Sequence, residues 1–179
     1  MSDIPPHMIK RAEMGKVMIQ SLADGPTEVI VQSLEQGKAA FLAELDSLSV
    51  EQIEFKPAED RWSIQEIALH VSHAMRHVGE LSLLLGEGQF REKQPILEAG
   101  LSDEKPRDWG EILDLVNQSF DVSLGAARKL DTLSTPDDLL DHPWFGPLNN
   151  RQWAAFNIIH CMVHVAQITK NKEAEGYPS

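Results

Sequence analysis

Cysteine, basic residues and long apolar segments are scarce in this chain. Its single cysteine, Cys161, excludes a disulfide within the chain. There are 28 acidic and 16 basic residues, and the formal net charge of −12 would repel nucleic-acid phosphates and anionic lipids. No apolar run is long enough to cross a membrane, and the first residues lack the apolar core of a signal peptide. We therefore expect a cytoplasmic protein that binds neither nucleic acid nor membrane.

The residues that are present show helical periodicity along most of the chain. Apolar side chains recur at steps of three and four residues from Ile30 to Leu48 and from Trp109 to Ala127, a pattern typical of amphipathic helices. A shorter segment, about Met8 to Leu22, predicts an extra N-terminal helix that ends at Asp24-Gly25-Pro26. Because no composition shift or internal repeat divides the 179 residues, residues 1–179 are expected to form one all-α domain.

Two further helices, predicted at about residues 62–85 and 149–171, begin in the same way. Ser63 with Glu66, and Asn149 with Gln152, each fit a capping box, in which two side chains satisfy free backbone N–H groups at the start of a helix. Trp62 stands just before the first box. The capping role accounts for Glu66, and we favour it over a role beside a metal ligand.

Long connections separate the predicted helices. One runs from Gly86 to Arg107, and another contains Thr135-Pro136-Asp137 and the motif HPWFGP at residues 142–147. Loops of this length in a compact bundle are usually functional or cross the bundle. Two histidines, His7 and His142, fall in predicted loops and carry no signal for metal binding. The four tryptophans are interpreted as core residues.

Histidines are concentrated on the two helices that begin with capping boxes. His160 and His164 are four residues apart, so their imidazoles point the same way from a helix. His70, on the other helix, can then complete a facial set of three nitrogen ligands, the usual construction of an open catalytic metal site. His73 and His77 share the face of His70 and are interpreted as core histidines or as pocket-lining residues.

Polar residues on the last helix occupy positions where the periodicity calls for apolar ones. Asn157 and Gln167 extend the stripe formed by His160 and His164. Buried polar groups are costly without partners, and such violations concentrate at functional sites, so we expect a polar pocket inside the bundle. Cys161 lies about 100° around the helix from His160 and is interpreted as an inert buried thiol.

Four features, in this order along the chain, resemble the DinB-like (YfiT-like) family of metalloenzymes. They are WSIQEIALH, the turn HPWFGPLNNRQW, HCMVH, and Gln167-Ile168. The resemblance covers about residues 28–170 and implies a four-helix bundle of the DinB/YfiT-like type, to which this chain adds a short N-terminal helix. It also implies that His70, His160 and His164 bind a divalent metal ion, commonly zinc or nickel.

The chain departs from the family pattern around the last ligand. Many members have a His-His-Arg-Gly-Gln run there, whereas this chain reads Val-His-Val-Ala-Gln from Val163 to Gln167. The ligand is retained, and only neighbouring polar groups are lost. His73 and His77 are not ligands in that pattern, so an arrangement in which they form the i,i+4 pair stays open. His70 and His77 cannot share one ion, because about 10 Å of helix axis separates them.

The resemblance and the open coordination position together predict a divalent-metal-dependent enzyme that acts on a small molecule. Three neutral imidazoles leave the ion its full charge, which lowers the pKa of water to about 7 or polarises a thiolate or carbonyl. Characterised members of the superfamily include transferases and isomerases that use low-molecular-weight thiols such as bacillithiol or mycothiol, and some hydrolases. S-transfer from such a thiol is therefore predicted ahead of hydrolysis.

An alternative of another class is a non-catalytic metal-binding stress-response module. Its ion would be structural and would have four protein ligands. For the enzymatic reactions, S-transfer or hydrolysis, the sequence identifies no general base. Because bundles of this family often pair, a homodimer is expected.

Overall fold

The computed structural model of the protein describes residues 6–89, 108–133 and 137–179. In these ranges the secondary structure is mainly helical. The elements are α1 (Pro6–Ala23), α2 (Thr27–Leu45), α3 (Val50–Glu54), α4 (Ile64–Gly86), α5 (Trp109–Ala127), a 3-10 turn (Leu130–Thr132), β1 (Leu140–His142), β2 (Gly146–Leu148) and α6 (Asn150–Lys172). No helix among the described residues is both long and apolar enough to span a bilayer.

The four long helices α2, α4, α5 and α6 form a bundle. Helix α4 packs between α5 and α6, α2 contacts α5 and α6 on the opposite side, and α1 lies along α6. Contacts between α4 and α6 pair Ser82 with Asn150 and Trp62 with Asn171, so these two helices are antiparallel. The predicted four-helix bundle with an additional N-terminal helix is confirmed.

Helices α4 and α6 begin at the predicted capping boxes. The Ser63 hydroxyl accepts from the Glu66 N–H at 3.2 Å, and the Glu66 carboxylate accepts from the Ser63 N–H at 2.8 Å. Asn149 and Gln152 make the same reciprocal pair, at 2.9 and 2.8 Å. Lys56 lies 2.6 Å from the Glu66 carboxylate. The interpretation of Glu66 as a capping residue is therefore correct.

The main core lies between the four long helices. Phe41 of α2 and Phe120 of α5 are fully buried, with ring centroids 6.1 Å apart. Helices α4 and α5 approach closely at Gly79, where an added Cβ would lie 2.9 Å from the Cα of Ser123. A second apolar cluster between α1, α4, α6 and the hairpin includes Ile19, Leu81, Leu148 and Trp153.

Several boundaries and elements differ from the sequence predictions. Helix α2 ends at Leu45 rather than at Leu48, and Ser47 follows with a left-handed φ of 56°. The short helix α3 and the hairpin β1–β2 were not predicted. His7 lies in α1 and His142 in β1, so the prediction that both lie in loops was wrong. Of the two predicted long connections, residues 90–107 and 134–136 lie outside the described residues.

The hairpin β1–β2 brings the HPWFGP motif back onto the bundle. Its register pairs Leu140 with Leu148 and His142 with Gly146, and Gly146 has a left-handed φ of 72° that suits glycine. Leu140 and Leu148 are buried. Phe145 at the turn packs against α1, where an added Cβ on Gly15 would lie 2.9 Å from its ring. The hairpin is therefore attached on both sides, and it holds His142 beside α6.

Candidate metal centre

Three imidazoles from α4 and α6 converge on one point. Nε2 of His160 lies 3.2 Å from Nε2 of His70 and 3.1 Å from Nε2 of His164. One nitrogen from each residue lies within 4.8 Å of the other two. Within residues 6–89, 108–133 and 137–179, no other set of three or more His, Cys, Asp or Glu side chains meets this condition.

The spacing of these nitrogens fits a divalent ion. Two nitrogens bound at about 2.0–2.1 Å to a tetrahedral zinc ion are separated by about 3.3 Å. The separations of 3.2 and 3.1 Å in this cluster are close to that value. Lone pairs that face each other at such distances are mutually unfavourable unless a proton or a cation lies between them. The three imidazoles could therefore hold one metal ion.

Burial lowers the pKa values of two histidines of this cluster, His160 and His164. His164 is 8% exposed, and burial, with the neighbouring charge of His70, lowers its pKa to about 4. Burial also lowers the pKa of His160 well below its usual value, and charges on His164 and His70 lower it further. Neutral imidazole is the form that binds metal, so the lowered pKa values of these two histidines would favour metal binding at neutral pH.

Gln167 of α6 and Trp62, which precedes α4, both contact the imidazole of His164. Its Nδ1 donates to Oε1 of Gln167 at 2.9 Å, which leaves the Nε2 lone pair facing the cluster. The indole of Trp62 stacks parallel to His164, with centroids 6.2 Å apart and an interplanar angle of 7°, and lies 4.7 Å from the ring of His70. Gln167, predicted only to line a pocket, therefore contacts a candidate ligand directly.

Trp62 was missed as a site residue. Its sequence position, just before a capping box, indicates a core contact, and it does pack against the main core. The sequence does not show that the same ring reaches across to α6.

The remaining histidines of α4 lie outside the cluster. His73 and His77 are half-buried, whereas the fully buried face of α4 runs through Val71, Met75 and Val78. Both histidines therefore lie at the edge of the core, and Nε2 of His73 is itself buried there. The alternative metal site built on His73 and His77 is not found among the described residues. Their role in lining a pocket stays a prediction.

Cys161 faces α2 rather than the histidine cluster. It is 1% exposed, and its Sγ donates to the carbonyl of Gly37 on α2 at 3.6 Å. Burial raises the pKa of the thiol to about 12, so it stays protonated and inert at neutral pH. The structure agrees with the interpretation made from the sequence.

His142 is a second residue that sequence reasoning missed. Its ring lies 4.6 Å from Phe156, which in turn lies 5.6 Å from His160, and its charge contributes to lowering the pKa of His160. Nδ1 of His142 accepts the Trp144 N–H at 3.1 Å, so in the neutral ring the proton is on Nε2. Burial lowers the pKa of His142 to about 4. The sequence contains the HPWFGP motif, but it does not show that the hairpin folds back onto α6.

The fold and this cluster define a class: helical-bundle proteins with a three-histidine group that could hold a metal ion. The chain belongs to the DinB superfamily, whose family model matches residues 33–168. No curated protein is similar to the chain in sequence at a significant level.

Two solved structures share the fold. "TT2238, a four-helix bundle protein" has 18% sequence identity and a TM-score of 0.62, and the match covers 81% of this chain and 99% of that protein. YfiT from Bacillus subtilis, described as "a probable metal-dependent hydrolase with an unusual four-helix bundle topology", also has 18% identity and a TM-score of 0.62, with 85% and 89% of the two chains covered. At this level of identity the similarity establishes the fold.

Proposed function

We propose that this protein is a divalent-metal-dependent enzyme that acts on a small molecule. The observation that carries the proposal is the convergence of the His70, His160 and His164 Nε2 atoms, which form an open set of three ligands. A structural ion usually has four protein ligands, whereas three neutral ligands leave a position for a substrate. The bound ion would supply Lewis acidity toward a thiol, water or carbonyl group.

The chain's own residues would orient and shield the reacting group. Gln167 fixes the orientation of His164, and the indole of Trp62 covers the rings of His164 and His70 on one side. Phe156 covers His160 on another side. Aromatic walls of this kind exclude water and strengthen electrostatic interactions at the centre.

S-transfer from a low-molecular-weight thiol is the reaction we propose first. The candidate ligand group consists of histidines alone and includes no Asp or Glu of the described residues. A thiol depends less on a general base than water does, because its pKa is about 8.5. Hydrolysis is the second candidate, supported by the description of YfiT as a probable metal-dependent hydrolase.

An activity screen tests this proposal. Zinc-loaded and nickel-loaded protein would be incubated with electrophiles together with bacterial low-molecular-weight thiols, and in parallel with esters and amides. We expect turnover in the thiol panel that requires the metal and is reduced at least about 100-fold in His164→Ala. Lys170→Ala, an exposed substitution on the same helix, should leave turnover unchanged.

Two outcomes would overturn parts of the proposal. Turnover only with esters or amides would replace S-transfer by hydrolysis. A metal-loaded structure with a fourth protein ligand would favour the non-catalytic module. A native zinc or nickel ion, a homodimer and a cytoplasmic location stay predictions from the sequence.

A further inference from the structure

Two buried polar atoms beside the histidine cluster have no hydrogen-bond partner in the structure. They are Nδ1 of His160 and Oδ1 of Asn157. Asn157 is 1% exposed and precedes His160 by three residues, so the two side chains are neighbours on the same face of α6. An unsatisfied buried polar atom is destabilising, and two of them on one face of a helix call for an explanation.

The orientation of the Asn157 amide is fixed by its other contacts. Its Nδ2 donates to the Met75 carbonyl at 3.1 Å and to the Ser123 hydroxyl at 2.9 Å. A backbone carbonyl can only accept, so the amide nitrogen has to face Met75. The oxygen is therefore the atom left on the other side of the amide, and it can only accept.

If His160 binds a metal ion, its ring also needs a hydrogen-bond acceptor at Nδ1. Because its Nε2 faces His70 and His164, the proton of the neutral ring is on Nδ1 when Nε2 binds an ion. That N–H needs an acceptor, and metal-binding histidines nearly always have one. His164 already has such an acceptor, the carboxamide oxygen of Gln167, three residues after it. His160 has a carboxamide three residues before it.

We propose that Asn157 is a positioning residue for the metal ligand His160. Its Oδ1 would accept the hydrogen bond of His160 Nδ1–H once an ion fixes the ring, because these two atoms are a matching acceptor and donor that are both buried and unpaired in the structure. That bond would satisfy both buried atoms and hold the ring with Nε2 facing the ion. Asn157 would thereby connect the metal centre to α4 and α5, through Met75 and Ser123. The inference rests on the proposed metal site.

Zinc affinity in paired variants separates this role from a structural one. Asn157→Leu and Asn157→Asp both remove the Nδ2 donor and should both destabilise the fold, but only the leucine removes the oxygen acceptor. We expect Asn157→Leu to weaken zinc binding about 10- to 100-fold in chelator competition, and Asn157→Asp to retain wild-type affinity or exceed it.

Two control variants test neighbouring buried groups. Ser123→Ala disturbs the same hydrogen-bond network while leaving the Asn157 oxygen in place. Trp153→Phe removes another buried, unpartnered N–H on this side of α6. Both variants should bind zinc within about twofold of wild type, because neither removes the acceptor for His160.

Nitrogen-15 spectra of labelled histidine supply a measurement that a change in stability alone would not alter. In zinc-loaded wild type, His160 should be the Nδ1–H tautomer with a slowly exchanging, hydrogen-bonded proton. The same signal should be present in Asn157→Asp and should lose its protection in Asn157→Leu. A His160 Nδ1–H that exchanges in the wild type as fast as an exposed imidazole would overturn the proposal, even if the leucine variant does not fold.

The proposed role of Asn157 and the proposed metal site can be refuted independently. Loss of zinc in His160→Ala together with unchanged affinity in Asn157→Leu would refute only the role of Asn157. Full zinc retention in His160→Ala would refute the metal site, and both proposals with it.

Discussion

At the scale of single residues, the three converging imidazoles of His70, His160 and His164 are the candidate metal ligands. We expect the purified protein to bind about one divalent ion per chain. His70→Ala, His160→Ala and His164→Ala should each reduce the bound metal to below about a tenth of that amount, because two imidazoles hold an ion far less tightly than three. Elemental analysis of protein dialysed against dilute chelator measures this.

Two comparison variants make the metal analysis specific. His77→Ala removes a half-buried histidine outside the cluster and should keep its metal. Loss of metal there, with retention in His160→Ala, would revive the arrangement based on His73 and His77. His142→Ala is not a neutral comparison, because that ring packs on Phe156 and its charge acts on His160.

At the scale of the secondary-structure elements, the important feature is the capping of the helix N-termini. The Asn149 side chain satisfies the N–H of Gln152 at the start of α6, the helix that carries two candidate ligands. Asn149→Ala should lower the free energy of unfolding by about 1 kcal/mol, because it removes this acceptor, and Asn149→Ser should restore most of it. Urea unfolding of the three proteins tests the expectation. An alanine variant as stable as wild type would show that the cap contributes nothing.

Stability against pH is a property of the whole molecule. The pKa of His164 falls from 6.5 to about 4 on folding, so the unfolded chain binds the proton more readily than the folded one. The stabilisation is present above pH 6.5 and is lost as pH falls toward 4. From His164 alone the loss is roughly 3 kcal/mol. Metal-free protein should therefore show a falling thermal midpoint between pH 6.5 and 4.

Zinc should change this profile in a defined direction. Binding to the folded state raises the thermal midpoint by mass action, and added chelator should reverse the rise. Because burial lowers the pKa values of His164 and His160, protons compete less for these two ligands than for an exposed histidine, and the zinc-dependent rise should shrink as pH falls toward 4. A midpoint that does not respond to chelator, in protein first shown to contain zinc, would contradict a site built across α4 and α6.

Local interactions explain why so much of the fold could be predicted. The capping boxes at Ser63 and Asn149 join residues three apart, and the step from His160 to His164 is one helical turn, so the sequence contains both partners of each interaction. The failures were local as well: the extended backbone of Asp46 ends α2 at Leu45, and the hairpin strands of three residues were too short to show alternation.

The sequence by itself determined the bundle class, the helix starts and the helix face that carries His160 and His164. Only the tertiary structure decided which residues of other elements contact that face. The antiparallel register of α4 on α6 brings His70 within 3.2 Å of His160, and the same register places Met75 against the Asn157 amide. Packing also brings Trp62 onto His164, and the hairpin returns His142 to α6. These contacts join residues up to about a hundred positions apart, and side-chain packing across helices fixes them, whereas periodicity within one helix reports only its own faces.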